Sequence, residues 1–137
     1  MDSQTRGFYL HIDLDLGVGY IKHQGKISLK DLNAAVIDMS RDPKFESVTR
    51  GISDFTKARG VLSSEDIRNH VTFVARHLSP SKKFKWAIIA QTNLAYGLAR
   101  MFDILIDTKG LNIELQVFKD PHEAKVWLGI IERKYVS

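Results

Sequence analysis

Trp86, Ala87, Ile88, Ile89 and Ala90 form an unbroken apolar run. Side chains of a strand point alternately to its two faces, so a strand built from these residues has no face suited to water. It must be covered on both sides, as an internal strand of a largely parallel sheet is, and the run is therefore placed at the middle of the sheet. Parallel strands need crossover connections, usually helices, and the flanking segments are patterned accordingly. Before the run, Ser63 or Ser64 starts a helix with Glu65 and Asp66 in its first turn, where carboxylates favour the helix dipole. Ile67, Val71, Val74 and Leu78 make its apolar stripe, and Ser79-Pro80-Ser81 closes it. After the run, Asn93 caps a helix carrying Leu94, Leu98, Met101 and Leu105, which ends near Lys109-Gly110.

The same reading extends to both ends of the chain. Residues 8–16 alternate, with Phe8, Leu10, Ile12, Leu14 and Leu16 on one face and Tyr9, His11, Asp13 and Asp15 on the other. Gly17-Val18-Gly19 offers a turn, and residues 20–24 return as a second strand ended by Gly25. Ser28 and Asp31 form a capping box for a helix with Leu29, Leu32, Val36 and Met39 inward, stopped at Asp42-Pro43. Residues 48–55 read as a strand whose Gly51 and Ser53 leave one face unusually small, inviting a close approach. Residues 112–118 alternate again, and Asp120-Pro121 opens a last helix with Ala124, Trp127, Leu128 and Ile131 inward.

The order is therefore β-β-α-β-α-β-α-β-α. It predicts an α/β fold: a mixed, mostly parallel five-stranded sheet, opened by an N-terminal hairpin, with four helices mainly on one face. Trp86, Ile88, Leu98, Met101, Val117 and Trp127 are expected in or beside one core. A length of 137 residues with 44% hydrophobic and 26% charged content suits one domain over residues 1–137.

Composition excludes several function classes. The absence of cysteine removes disulfides, thiolate nucleophiles and cysteine zinc sites. The first six residues carry no apolar signal core, and no run approaches the roughly 18 apolar residues of a membrane span, so a cytoplasmic protein without stable membrane insertion is expected. The net charge of +4 is scattered, with its one tight cluster at Lys82, Lys83 and Lys85, and nucleic-acid binding is not predicted. Gly51-Ile52-Ser53-Asp54-Phe55 lacks the second glycine of a nucleophile elbow. Gly17-Val18-Gly19 lacks the third glycine and the following helix of a dinucleotide loop. The five histidines fall in no metal spacing; His70 and His77 lie roughly 10 Å apart along their helix axis. They read as solvated or singly hydrogen-bonded. No catalytic residue, metal or cofactor is predicted.

Asp54, the run from Trp86 to Ala90, Tyr96-Gly97-Leu98-Ala99-Arg100-Met101, Val117-Phe118-Lys119-Asp120, and Ala124 with Trp127-Leu128 follow one another along the chain. In that order the sequence resembles the SpoIIAA-like branch of the STAS domains, whose core topology is shared with the Sec14/CRAL-TRIO lipid carriers. The resemblance implies a non-enzymatic regulatory or protein-interaction module. It also implies that the serine phosphorylated in the sporulation anti-anti-sigma proteins corresponds to Ser63 or Ser64, although Leu62-Ser63-Ser64-Glu65-Asp66 stands where those proteins have Asp-Ser-Ser-Gly-Leu. The ordinary capping preference favours helix capping as the role of these serines.

The contact surface for a protein partner is expected in the loop after the third strand, through Asp54, Thr56, Lys57, Arg59, Ser63 and Ser64. A helix start beside Lys57 and Arg59 would attract an anion or an acidic segment. The alternative is a carrier or sensor of a small apolar or amphipathic ligand, held between the sheet and the second and third helices. The first strand as an exposed edge, with Ala87 and Ile89 on an open sheet face, favours a homodimer.

Overall fold

The computed structural model describes residues 7–60 and 62–131; the N-terminal segment read above for a signal lies outside them. Strands β1 (Phe8–Asp13) and β2 (Val18–Lys26) form an antiparallel hairpin. Strands β3 (Arg50–Arg59), β4 (Phe84–Ile89) and β5 (Ile113–Phe118) join in chain order, each parallel to its predecessor. The sheet reads β1-β2-β3-β4-β5, so its middle strand is β3, and the apolar β4 is internal next to an edge. Right-handed crossovers that always step the same way across a sheet stay on one side of it. Accordingly α1 (Leu29–Arg41), α2 (Ser64–His77) and α3 (Asn93–Ile106) form one layer, with α2 between the other two. The last helix, α4 (Pro121–Trp127), follows the final strand without a crossover and packs on the opposite face.

Sheet pleating assigns the residues of β3 and β4 to two cores. Toward the three helices lie Ile88 and Val117 with Phe102 and Ala99 against them, and further along Phe8, Ile12, Ile21, Met39 and Phe84. Toward α4 lie Ile52, Ala87 and Ile89, covered by Ala124 and Leu128. The expected single core is thus two, with Trp127 on the far face and Met101 on the outer surface of α3 beside Arg68 and Ile104. Ala87 and Ile89 are fully buried under α4 and offer no apolar patch, which removes that half of the homodimer argument.

Lys85 and Arg50 hold α4 in place. The Lys85 ammonium donates to the Trp127 carbonyl at 2.9 Å and lies over its ring, and the Arg50 guanidinium donates to the Leu128 carbonyl at 2.8 Å. Cations at a helix C-terminus meet carbonyls that lack intrahelical partners. Lys82 is also engaged, donating to the Glu46 carbonyl at 3.1 Å.

Several element ends differ from expectation. The hairpin turns earlier, because the Asp13 side chain accepts from the Leu16 N–H and Gly17, at φ 66°, closes the turn. Leu14 and Leu16 are consequently exposed, and Gly19 lies inside β2. Helix α3 is capped by Thr92, whose hydroxyl accepts from the Ala95 N–H at 3.1 Å, rather than by Asn93. Pro43–Ser47 forms a short 3-10 turn after α1. The capping boxes of Ser28 with Asp31 and of Ser63 with Asp66 are both formed.

Candidate functional site: a cavity between the sheet and three helices

The small face of β3 receives a close neighbour, as its composition requires. The indole of Trp86 lies across Gly51 so tightly that a Cβ there would stand 2.2 Å from the ring. Its Nε1–H donates to Ser53 Oγ at 2.9 Å. The indole, held against β3 in this way, is itself part of the wall of a space on the helical side of the sheet. Among the larger apolar side chains that face it, three helical positions are small: Ala35 on α1 and Ala95 and Ala99 on α3. The result is a cavity of about 420 Å³ between the sheet and the helical layer. Protein sites for small organic molecules usually span ~300–1,000 Å³, so this space is adequate for one.

Its walls are graded. At the amino ends of β4 and β5 it is lined by Phe84, Ile113, Phe45 and Leu78, and at the carboxyl ends by Arg59, Gly60, Thr92 and Leu94. Arg59, Gly60, Thr92 and Leu94 are exposed, so the cavity opens at that end. Ligands of open α/β sheets bind at the carboxyl ends of the strands. Between floor and mouth the lining includes two histidines, His23 on β2 and His70 on α2.

Both rings are buried. Burial pushes each down from 6.5 to about 4, because the charged form would lose its water. For His23, Asp31 and Asp54 act in the opposite direction; for His70, His23 adds to the depression. The His70 Nδ1 is paired with Asn33 Oδ1 at 2.8 Å. His23 stacks on Phe55 with ring centroids 4.3 Å apart, and its Nδ1 is buried with no hydrogen-bond partner among the described residues.

The backbone beneath His23 is irregular. Phe55 and Thr56 together stand opposite His23, so β3 carries one extra residue between the Lys22–Asp54 and Gln24–Lys57 pairs. The Asp54 carboxylate accepts the Thr56 N–H at 2.8 Å within this bulge. Bulges of this kind re-aim side chains and are common beside binding sites. Here the extra residue brings Phe55 and Ala58 to the same face, where both line the cavity.

The six residues singled out from sequence are therefore distributed differently from a surface loop. Strand β3 runs on to Arg59 through its pairing with β2, so Asp54, Thr56, Lys57 and Arg59 are strand residues. Asp54 and Thr56 are half-buried in the bulge, Lys57 is exposed, and Arg59 sits at the cavity mouth. The Ser63 hydroxyl accepts the Asp66 N–H at 3.0 Å as the cap of α2, and Ser64 is exposed in the first turn. His23 and His70 were not among the six and were expected to be solvated or singly hydrogen-bonded. His70 has its one bond but is buried; His23 is buried without a Nδ1 partner. Their positions carried a signal, since His23 continues the inward alternation of Gly19 and Ile21, and His70 falls three residues from Ile67 and four from Val74. Among the described residues no three His, Asp or Glu converge to hold a metal, and no helix is long and apolar enough to cross a membrane.

One antiparallel and three parallel steps in the order β1 to β5, with the crossover helices on one face, make this a SpoIIAA-like fold. The chain superimposes on the crystal structure of an uncharacterized protein of the DUF3478 family with a SpoIIAA-like fold from Shewanella loihica PV-4. The TM-score is 0.58 over 93% of this chain and 98% of that one, at 21% identity, a likeness of fold. No family model and no curated protein matches the sequence.

Proposed function

We propose that this chain is a non-enzymatic, STAS-type module that carries or senses a small apolar or amphipathic ligand in the cavity between its sheet and α1–α3. The cavity itself supports the reading: about 420 Å³ lined chiefly by apolar side chains, where protein interiors are ordinarily close-packed. Native mass spectrometry of freshly purified protein, under conditions that retain noncovalent adducts, is the test. A co-purifying small molecule, lost when the protein is denatured, is the expected result. A mass equal to the bare chain, together with no thermal stabilisation by any small apolar compound, would refute it.

A protein-interaction role at the same end of the molecule is the second reading. Lys57 and Arg59 are both exposed where β3 ends, and Arg59 borders the mouth. A partner docked there would sense whether the cavity is filled. Lys57→Ala with Arg59→Ala should leave the fold intact and abolish capture of an acidic partner; undiminished capture would place the contact elsewhere.

A further inference from the structure

We propose that the cavity is selective for an uncharged amphiphile whose hydroxyl group hydrogen-bonds at the His23 and His70 wall while its apolar body fills the floor beneath. This rests on the ligand-binding reading and names the ligand's chemistry. Among the described residues, five polar side chains line the cavity: His23, Ser53, Arg59, His70 and Thr92. Two of them already accept hydrogen bonds inside the protein, Ser53 Oγ from the Trp86 Nε1–H and Thr92 Oγ1 from the Ala95 N–H.

His70 is fixed in its tautomer by Asn33. With the amide oxygen 2.8 Å from Nδ1, the neutral ring donates Nδ1–H and keeps Nε2 as an acceptor. His23 contributes a buried Nδ1 without a partner among the described residues. That atom is sealed from the cavity as well as from solvent, so the acceptor that an occupant would meet at this wall is the His70 Nε2, with the uncharged His23 ring beside it.

Charge decides what that group is. Among the described residues, the sole cationic side chain of the lining is Arg59, which is exposed at the mouth, and no carboxylate lines the cavity. A carboxylate or ammonium at the histidine wall would be desolvated without a counter-charge, whereas a neutral hydroxyl meets no such penalty. A hydroxyl donates to an unprotonated imidazole nitrogen and accepts from a protonated one, so it is matched to a wall with His70 Nε2 as acceptor and a second neutral histidine beside it. Phe45, Leu78, Phe84 and Ile113 below form an apolar floor. An alkyl or ring body belongs there.

The test compares 1-octanol, octanoate and 1-methoxyoctane, which share one chain and differ in the terminal group, by titrating each into the whole protein and following backbone amide shifts. Binding of 1-octanol at least ten-fold tighter than both others is expected, since the ether lacks the donor and the carboxylate carries charge. In His70→Leu the alcohol should lose about ten-fold and the ether should be unchanged. Equal affinity for alcohol and ether, or preference for octanoate, would overturn the hydroxyl assignment while leaving the cavity a ligand site. Failure of all three to shift the lining residues would overturn both readings. The wild-type comparison stands whether or not the variant folds.

Discussion

His23 and His70 are the residues whose chemistry is most altered by the fold. Each is neutral when buried and titrates at about 4, against 6.5 in the unfolded chain. Between those values the unfolded chain binds protons that the folded one cannot, so stability rises with pH across the window. It is complete above pH 6.5 and is lost as the pH falls from 6.5 toward 4, by about 3 kcal/mol for each histidine. Urea unfolding at pH 7.5, 6, 5 and 4.5 should show a falling midpoint, and His23→Phe should remove roughly half of that fall. A midpoint independent of pH over this range would contradict the burial of both rings. Gly51 makes a second residue-scale prediction. A methyl group there would collide with the Trp86 ring, so Gly51→Ala should cost about 1–3 kcal/mol, the usual penalty of overpacking, and shift the tryptophan emission. The need for a close approach at Gly51 was legible in the sequence, since a glycine and a serine alternate on one face of a strand. Which side chain makes the approach was not, because Trp86 meets Gly51 only through the register of β3 on β4.

Elements were most legible where short-range chemistry sets them. The box at Ser28 is written in four consecutive residues and forms, and the start left open between Ser63 and Ser64 is fixed at Ser63 by its box with Asp66. Ends set by pairing with a distant strand were less so. Nothing local tells Lys57, Ala58 and Arg59 that they belong to a strand; Gln24, Gly25 and Lys26 do, from another part of the chain. The candidate site followed the same rule: Thr56, Lys57 and Arg59 were assigned to a loop that β2 turns into a strand, while Ser63 and Ser64 lie at the helix start where the local pattern put them. For α2, the cap makes a measurable difference between the two roles considered for Ser63. Its hydroxyl is held by the Asp66 N–H, so Ser63→Ala should destabilise the protein by about 1 kcal/mol, while Ser64→Ala, exposed in the first turn, should change little. Chemical denaturation of both variants decides it. Equal effects would mean that Ser63 does not cap the helix.

At the scale of the whole molecule, topology decides what the local patterns leave open. Alternation in β3 and β4 shows that both faces of the sheet must be covered, yet it does not say which helix covers which. The uniform direction of the three parallel steps commits α1, α2 and α3 to one face, and the short α4 is what remains to bury Ile52, Ala87 and Ile89 on the other. A three-helix layer resting on a strand that carries Gly51 and Ser53 has room to spare, and the cavity is that room. A void of this kind can be filled from within. Ala99 on α3 lines the cavity and packs near Ile88 and Val117. Ala99→Leu adds three carbons to that wall at no cost in helix propensity worth counting. Burying them in unoccupied apolar space should leave the thermal midpoint unchanged or raise it by a few degrees, in line with about 1–2 kcal/mol of added burial. The same change should weaken 1-octanol binding at least ten-fold. Both outcomes are needed, because a destabilised variant would lose the ligand for a trivial reason. A loss of more than about 1 kcal/mol of stability would show that the helices already touch where the larger side chain would stand, and that the cavity is narrower than its walls imply.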